Sequence, residues 1–443
     1  MSELEFYLWN GNKYSFIPRR DQLGKSIFIT TSTKYYDPLR GQQIFEDFIE
    51  DAVFAEQLGY DGLVVLEQHG GPNAVVTQPI VLASALAART SNIRIGTVGA
   101  LLNSYLTPMR YAEEVAALDI LSRGRYFFGL PMGIGANYHS LAMMNPTDAR
   151  ERYYEAHEFL KRAFTEEGPF DFDGKYFSAP YANLWPKPMQ QPYPEVWVPA
   201  AGSKETLQFA SRERYCYMAV LVPWPVLQRN AATFRELCQA EGYEMDPRQL
   251  VAQSYVHVAE TDKQARQEVE AHYLSVQQNS FGSPFHDSFP PGYASEGSLR
   301  GMALGGGYRS KDASETTIDE AIDNFQLICG SVETVAERIE EYTSTLGAGR
   351  LLVTQDAWTM PSWMARKNMT MFAEEVMPKF RARTGKPIWD TAEEGAAFRT
   401  RSEYGARVQE PISKPMAWVD GHAIDIRTSH IPELRVPLED TQK

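Results

Sequence analysis

Short, nearly continuous apolar runs alternate along this chain with longer segments in which apolar positions recur every three or four residues. The stretch from Ile93 to Asn137 shows the pattern most clearly. Ile93, Ile95 and Val98 to Leu102 make a β-branched apolar run, the signature of a parallel strand buried on both faces, and Tyr126 to Leu130 repeats it. Between them Pro108 marks a helix start. Ala112, Val115, Ala116, Asp119 and Ile120 then follow helical spacing until Ser122 and Gly124 stop it. The segment therefore predicts a βαβ unit with glycines where each strand ends.

The same rhythm runs through most of the chain. Asp61 to Glu67 reads as a strand followed by a helix over Gln78 to Arg89. Thr147 to Phe164 reads as a helix with Arg150, Tyr153, Tyr154, His157 and Leu160 on one side. Phe170 to Ala179 alternates like a hairpin around Asp173-Gly174. Glu195 to Ala200, Cys216 to Leu221 and Leu250 to Val258 are further strands, separated by helices near Ser203 to Arg212 and Pro225 to Glu241. The first strand is either Leu4 to Trp9 or Ser26 to Thr31, with the earlier preferred. Repeated βα units build either an open doubly wound sheet or a closed barrel, and the pattern alone leaves both open.

Two regions break the alternation. Residues 279–319 are rich in Gly, Ser and Pro and read as a lid, with a plain linker as the alternative. The tail after Arg383 carries Pro387, Pro411, Pro415, Pro432 and Pro437 with little periodicity, which suits an extension wrapping the fold or a partner subunit, or a loose surface segment.

Four phrases resemble the bacterial luciferase family of flavin-dependent monooxygenases, in the right order. They are GYDGLVVLEQHG at Gly59 to Gly70, LSRGRYFFGL at Leu121 to Leu130, PEVWVPAAGS at Pro194 to Ser203 and SVETVAERIEEYTSTLGAGRLLV at Ser331 to Val353. The resemblance covers about Ile44 to Arg383. It implies an α/β fold of the (β/α)8 TIM-barrel type over residues 1–383, with a lid-like insertion at 279–319 before the last βα unit and an extension at 384–443.

Composition narrows the picture little. The formal net charge of −14 argues against nucleic acid or an anionic membrane as partner. Cys216, Cys238 and Cys329 have no paired short spacing, so neither a disulfide framework nor a zinc site is expected. MSELEFYLWN lacks a basic start followed by an apolar run, so a cytoplasmic location without a signal peptide is expected.

In an α/β barrel the residues directly following each strand form the site. That rule selects Glu67, Gln68 and His69; Val98 and Gly99; Met132 and Gly133; Ala201, Gly202 and Ser203; Gln253 and Tyr255; and Gln355, Asp356 and Trp358. AAGSKET at Ala200 to Thr206 offers a glycine, the Ser203 and Thr206 hydroxyls, Lys204 and the first turn of a helix, which suits a phosphate. An ordinary N-cap by Ser203 is the plainer reading. GIG at Gly133 to Gly135 is too short for a dinucleotide fingerprint.

The resemblance implies FMN in its reduced form as cofactor, held by Val98, Gly99, Met132, Tyr138, Ala201, Gly202, Ser203 and Thr206. It also implies a bulged, often cis, peptide at Val98-Gly99 under the flavin ring. Glu67, Gln68 and His69 take the catalytic positions. Two departures stand out: Gln68 replaces the family's frequent histidine, with His69 one place later, and Met132 replaces an arginine that serves the phosphate in luciferases. Lys204 and Arg150 are the candidates to supply that charge, and His139 and His157 are further site candidates.

The implied reaction consumes dioxygen through a C4a-peroxyflavin and hydroxylates a small molecule or inserts oxygen in Baeyer–Villiger fashion. Met132, Met143, Met144, Tyr138, Trp185, Trp358, Met360 and Trp363 around the expected mouth suit a hydrophobic or aromatic substrate. A separate NAD(P)H:flavin reductase and a homodimer are implied as partners. An F420-dependent oxidoreductase and a noncatalytic flavin-binding relative are the alternatives.

Overall fold

The computed structural model describes residues 3–381 apart from 19–22, 24–26, 28, 142–144, 221, 281–289, 294, 298–299, 301–315 and 358, together with 416–419 and 422–425; for 276–280 it describes the backbone alone. In chain order the elements are β1 (Glu5–Leu8), α1 (Pro38–Gln57), β2 (Gly62–Val65), α2 (Pro79–Arg89), β3 (Arg94–Thr97), α3 (Pro108–Leu121), β4 (Tyr126–Gly129), α4 (Gly135–Ser140) and α5 (Ala149–Thr165). A hairpin of β5 (Phe170–Asp173) and β6 (Ser178–Ala182) follows, then β7 (Val196–Ala200), α6 (Lys204–Arg212), β8 (Cys216–Ala219), α7 (Trp224–Ala240), β9 (Leu250–Val258) and α8 (Asp262–Ser280). The last units are α9 (Ile318–Asp323), β10 (Leu327–Gly330), α10 (Val332–Leu346), β11 (Arg350–Thr354) and α11 (Ser362–Met371).

The strands hydrogen-bond in the order β10-β9-β11-β1-β2-β3-β4-β7-β8, and a further pairing of β8 with β9 closes the ring. The result is a (β/α)8 barrel of parallel strands. The strand β10, which the sequence pattern does not reveal, lies beside the far half of β9, pairing from Leu327 with Tyr255 to Gly330 with Val258.

Side-chain alternation along each strand fills the barrel. Tyr7, Val64, Val98, Phe127, Trp197, Met218, Val251 and Leu352 pack together as one cluster in the lumen. Their neighbours Phe6, Leu63, Ile95, Phe128, Val198, Tyr217, Ala252 and Leu351 join the larger core beneath the helices. Glycines at lumen positions admit the large rings: a Cβ on Gly62 would lie 2.3 Å from Tyr7, and one on Gly96 2.2 Å from Phe127.

The floor of the lumen is ionic. Arg350 Nε reaches Glu5 at 2.7 Å and its Nη1 contacts Glu195, while Arg94 Nη2 reaches Glu195 at 2.6 Å. Tyr7 OH accepts from Arg94 at 2.8 Å and donates to Glu5 at 3.0 Å, so each buried charge is paired. Burial opposes ionisation of Glu195, but Arg350 and Arg94 outweigh it and hold the carboxyl well below its usual range.

Several expectations change in detail. The run Val98 to Leu102 is not strand: β3 ends at Thr97, and the chain turns off into a 3-10 turn at Leu102–Ser104. The strand expected over Cys216 to Leu221 ends at Ala219. The first strand is the earlier candidate, and the described residues between 27 and 31 form turns and bends.

Trp185 lies away from the barrel mouth. It is 81% exposed and leads into Lys187, whose Nζ donates to the Ala163 carbonyl at 2.6 Å near the end of α5, the side from which β7 enters the barrel. Of the insertion at 279–319, residues 281–289, 294, 298–299 and 301–315 fall outside the described residues, as do Met143, Met144 and Trp358. Within the extension, Met416–Val419 and His422–Asp425 pair as an antiparallel hairpin. Among the described residues no helix is long and apolar enough to cross a membrane, and no group of His, Cys, Asp and Glu is arranged to hold a metal.

Candidate functional site at the barrel mouth

The carboxyl ends of the strands bring most of the candidate residues into one ring. Just past β2 the side chain of Glu67 is buried, and its two oxygens have separate tasks: Oε1 lies 2.7 Å from His69 Nε2, and Oε2 accepts from the Leu101 N–H at 3.1 Å. The imidazole is thus oriented by a carboxylate, and the loop after β3 is clipped to the end of β2. Gln68 donates its backbone N–H to the Val76 carbonyl at 3.1 Å, while its side-chain Oε1 is buried without a hydrogen-bond partner. A buried acceptor left unpaired in a pocket wall is a place where a ligand donor would be stabilised.

On the next strands, the Val98–Gly99 peptide is cis. A Cβ on Gly99 would fall 1.9 Å from Pro131 Cγ, so only glycine allows the ends of β3 and β4 to approach this closely. Beyond β4, Met132 packs half-buried against the core, and its carbonyl accepts from Tyr138 OH at 3.1 Å. Tyr138 is buried, and burial pushes its phenol up to about 12 despite the nearby Asn103 side chain and Arg150. Tyr293, in the described part of the insertion, meets the Tyr138 ring edge-on at 5.4 Å and donates to the Gly133 carbonyl. The insertion therefore touches the β4 loop.

The loop after β7 forms a cradle. Gly202 has φ +92, and a Cβ there would sit 2.0 Å from Asn230 Nδ2. Asn230 in turn donates to the Ala201 carbonyl at 3.0 Å, which fixes the loop. Ser203 caps α6: its Oγ accepts from Thr206 N at 3.3 Å and lies 2.9 Å from Thr206 Oγ1. The first-turn N–H groups and two hydroxyls thus converge at the start of α6, on a loop whose glycine leaves room for the bracing Asn230 side chain.

Tyr153 and Tyr154 of α5 pack against Phe209 of α6, which joins the two helices. Arg150 Nη1 is buried without a hydrogen-bond partner among the described residues. Lys204 is exposed. The donors of the α6 turn fit a phosphate monoester.

The remaining candidates separate. His157 is buried and bonds Tyr215 OH at 2.9 Å, a packed position away from the mouth. His139 is exposed on α4. Gln355 turns outward, accepting from Tyr60 OH. Gln253 and Tyr255, midway along β9, and Asp356, just past β11, are half-buried. Next to them stands a residue that strand-end reading missed: Lys13 Nζ donates to Tyr255 OH at 3.2 Å. It lies beyond β1 in a segment without periodic pattern, and a polar N-G-N-K run following the preferred first strand was the available signal.

A family model described as luciferase-like monooxygenase matches residues 27–349. The alkanal monooxygenase beta chain of Vibrio harveyi is 28% identical over 46% of this chain and 62% of its own length. The oxygenase component of a flavin-dependent trigonelline monooxygenase from Acinetobacter baylyi is 25% identical over 55% of this chain and 67% of its own length.

Among solved structures, the oxygenating constituent of 3,6-diketocamphane monooxygenase from Pseudomonas putida, a type II Baeyer–Villiger enzyme in complex with FMN, is similar in fold. Its TM-score is 0.63 and its identity 21%, over 86% of this chain and 100% of that one. An F420-dependent secondary alcohol dehydrogenase shares the fold at a TM-score of 0.60 and 17% identity, over 86% of this chain and 100% of that one.

Proposed function

The chain belongs to the luciferase-like monooxygenase family, and on that premise we propose that it is the oxygenating component of an FMN-dependent monooxygenase. In this reading it uses reduced FMN and dioxygen to hydroxylate a small organic molecule or to insert oxygen in Baeyer–Villiger fashion. The observation that carries the reading is the cradle at Ala201, Gly202, Ser203 and Thr206, where a helix N-terminus and two hydroxyls are assembled on the strand end next to β4, in a loop that Asn230 braces.

When bound, reduced flavin supplies the activation of dioxygen. The chain's own residues bind, orient and exclude water. The α6 first turn, Ser203, Thr206 and Arg150 would hold the phosphate. Val98 and Gly99, with Met132 and Tyr138 of the segment after β4, would lie against the planar ring. His69, oriented by Glu67, and the unpaired Gln68 Oε1 would hydrogen-bond the reacting centre. The Tyr293–Gly133 contact supports reading the insertion as a cover over the site.

A flavin reductase that delivers reduced FMN is part of the proposal, in line with a relative named as an oxygenase component. So is a homodimer, for which Val81 on α2 and Leu121 at the end of α3, 67% and 61% exposed, provide apolar surface in the first half of the barrel.

Anaerobic protein carrying reduced FMN, mixed with oxygenated buffer in a stopped-flow instrument, tests the reading. Reoxidation whose rate differs from that of free reduced FMN by about tenfold or more supports it. FMN that binds but reoxidises at the free rate, combined with hydride transfer from reduced F420, would move the chain to the F420-dependent branch of the fold.

A further inference from the structure

The barrel mouth has two unlike halves. The cradle, the Val98–Gly99 peptide and Tyr138 occupy β3, β4 and β7, which are neighbours in the ring. The strands β9, β11 and β1 are neighbours on the other side, and their ends present a charged and hydrogen-bonding surface. We propose that this second half is the substrate-binding half and that it selects an organic carboxylate, whose anionic oxygens are taken by Lys13 Nζ and Tyr255 OH.

The backbone holds Lys13 in place from both sides. The Gly11 N–H donates to both Asp356 oxygens, at 3.1 and 3.0 Å, the Asn12 carbonyl accepts from Val75 N at 2.8 Å, and Tyr14 N donates to the Pro72 carbonyl at 2.8 Å. The ammonium is therefore presented by a braced turn rather than by a free loop. Lys13 is half-buried, and among the described residues Tyr255 OH is its hydrogen-bond partner.

An ammonium has three donors, so two remain for a ligand. Because Tyr255 OH accepts from Lys13, its own proton is free to donate to the same ligand oxygens. Asp356 lends charge nearby, but both of its oxygens face the Gly11 N–H; its part is to position the turn. Burial opposes the lysine charge, yet Tyr255 and Asp356 outweigh it and hold the ammonium above its ordinary range.

Gln253 Oε1, one pleat deeper in the lumen, and Thr354 Oγ1, level with Tyr255, are buried without partners among the described residues. Four groups on or just past three adjacent strands, Lys13, Tyr255, Gln253 and Thr354, thus have hydrogen-bonding capacity left for a ligand, and the one charged group among them is the Lys13 ammonium. In a chain of formal net charge −14, that is a local exception with a direction: it recognises an anion. A purely hydrophobic substrate would leave Gln253 Oε1 and Thr354 Oγ1 unpaired and the two spare Lys13 donors unused, at a cost.

This inference rests on reading the mouth as a monooxygenase site, and calorimetry separates the two. Benzoate and benzamide, cyclohexanecarboxylate and its amide, and octanoate and octanamide are titrated into the full chain with and without FMN. The expected result is that at least one acid binds roughly tenfold or more tighter than its amide. Lys13→Met should remove the preference, Lys13→Arg should keep part of it, and FMN affinity should be unchanged in both variants. Equal binding of acids and amides, no measurable binding of any acid, or a preference that survives Lys13→Met would overturn the proposal. So would loss of FMN affinity in Lys13→Met with the acid preference intact, which assigns the lysine to the cofactor. Absence of FMN binding to the unaltered chain would count against the monooxygenase reading alone, since the titrations without flavin still report the acid preference.

Discussion

Glu67 and His69, two residues apart at the end of β2, are joined by a 2.7 Å contact between Oε1 and Nε2, with side chains only 6% and 10% exposed. The second oxygen of the same carboxylate clips the Leu101 N–H, so one side chain sets both the imidazole and the loop after β3. Glu67→Ala should therefore change the rate at which bound reduced FMN is reoxidised by about tenfold or more. Glu67→Gln, which can still accept from Leu101, should do less. Stopped-flow flavin absorbance reads both, and a Glu67→Ala enzyme with wild-type kinetics would remove Glu67 and His69 from the catalytic set.

The cradle makes a second prediction. Gly202→Ala places a methyl group 2.0 Å from Asn230 Nδ2 at a residue with φ +92. It should cost about 1–3 kcal/mol of stability and lower FMN affinity. Ser203→Ala, which loses only the cap, should cost about 1 kcal/mol and weaken FMN as well. Urea denaturation and flavin titration give the two numbers separately. Intact affinity in both variants would show that the phosphate lies elsewhere.

At the floor of the barrel, Arg350 is the shared partner of Glu5 and Glu195. Arg350→Met leaves two buried carboxylates short of a cation and should destabilise the fold by roughly 3–5 kcal/mol. Because the floor lies at the opposite end of the lumen from the cradle, whatever protein remains folded should bind FMN normally. Thermal melts alongside flavin titration check this.

His157 links stability to pH. Burial pushes its imidazole down to about 4, with Glu213 acting in the opposite direction. Between pH 6.5 and 4 the unfolded chain takes up a proton that the folded chain refuses, so stability falls as pH falls through this window. Near pH 5 the loss from this group is about 2 kcal/mol. His157→Gln should flatten that part of the stability profile, even though it also alters the bond to Tyr215. Urea midpoints of both proteins at pH 7 and pH 5 decide it: equal slopes would mean that His157 is not the titrating group.

Much of the architecture was legible in the chain because its code is local. Alternation of strand and helix, the proline at the start of α3 and the Asp173-Gly174 hairpin depend on neighbouring residues, and the structure places elements at each of these positions. The loop proposed here to hold the phosphate was legible as a strand–turn–helix for the same reason: a strand end, a glycine, a capping serine and the helix it starts are consecutive in sequence.

What only the tertiary structure decided are the relations between residues far apart in the chain. From pattern alone the barrel could not be told from an open sheet, since closure depends on the pairing of β8 with β9. The end of β3 at Thr97 could not be read from an apolar run that continues to Leu102, because burial of that run in the mouth wall keeps it apolar outside a strand as well. The clearest case is Lys13, whose meaning lies in Tyr255 and Asp356, more than two hundred residues away. A lysine in an irregular stretch carries no periodic signal, and its half-buried setting exists only once three neighbouring strands have brought their ends together.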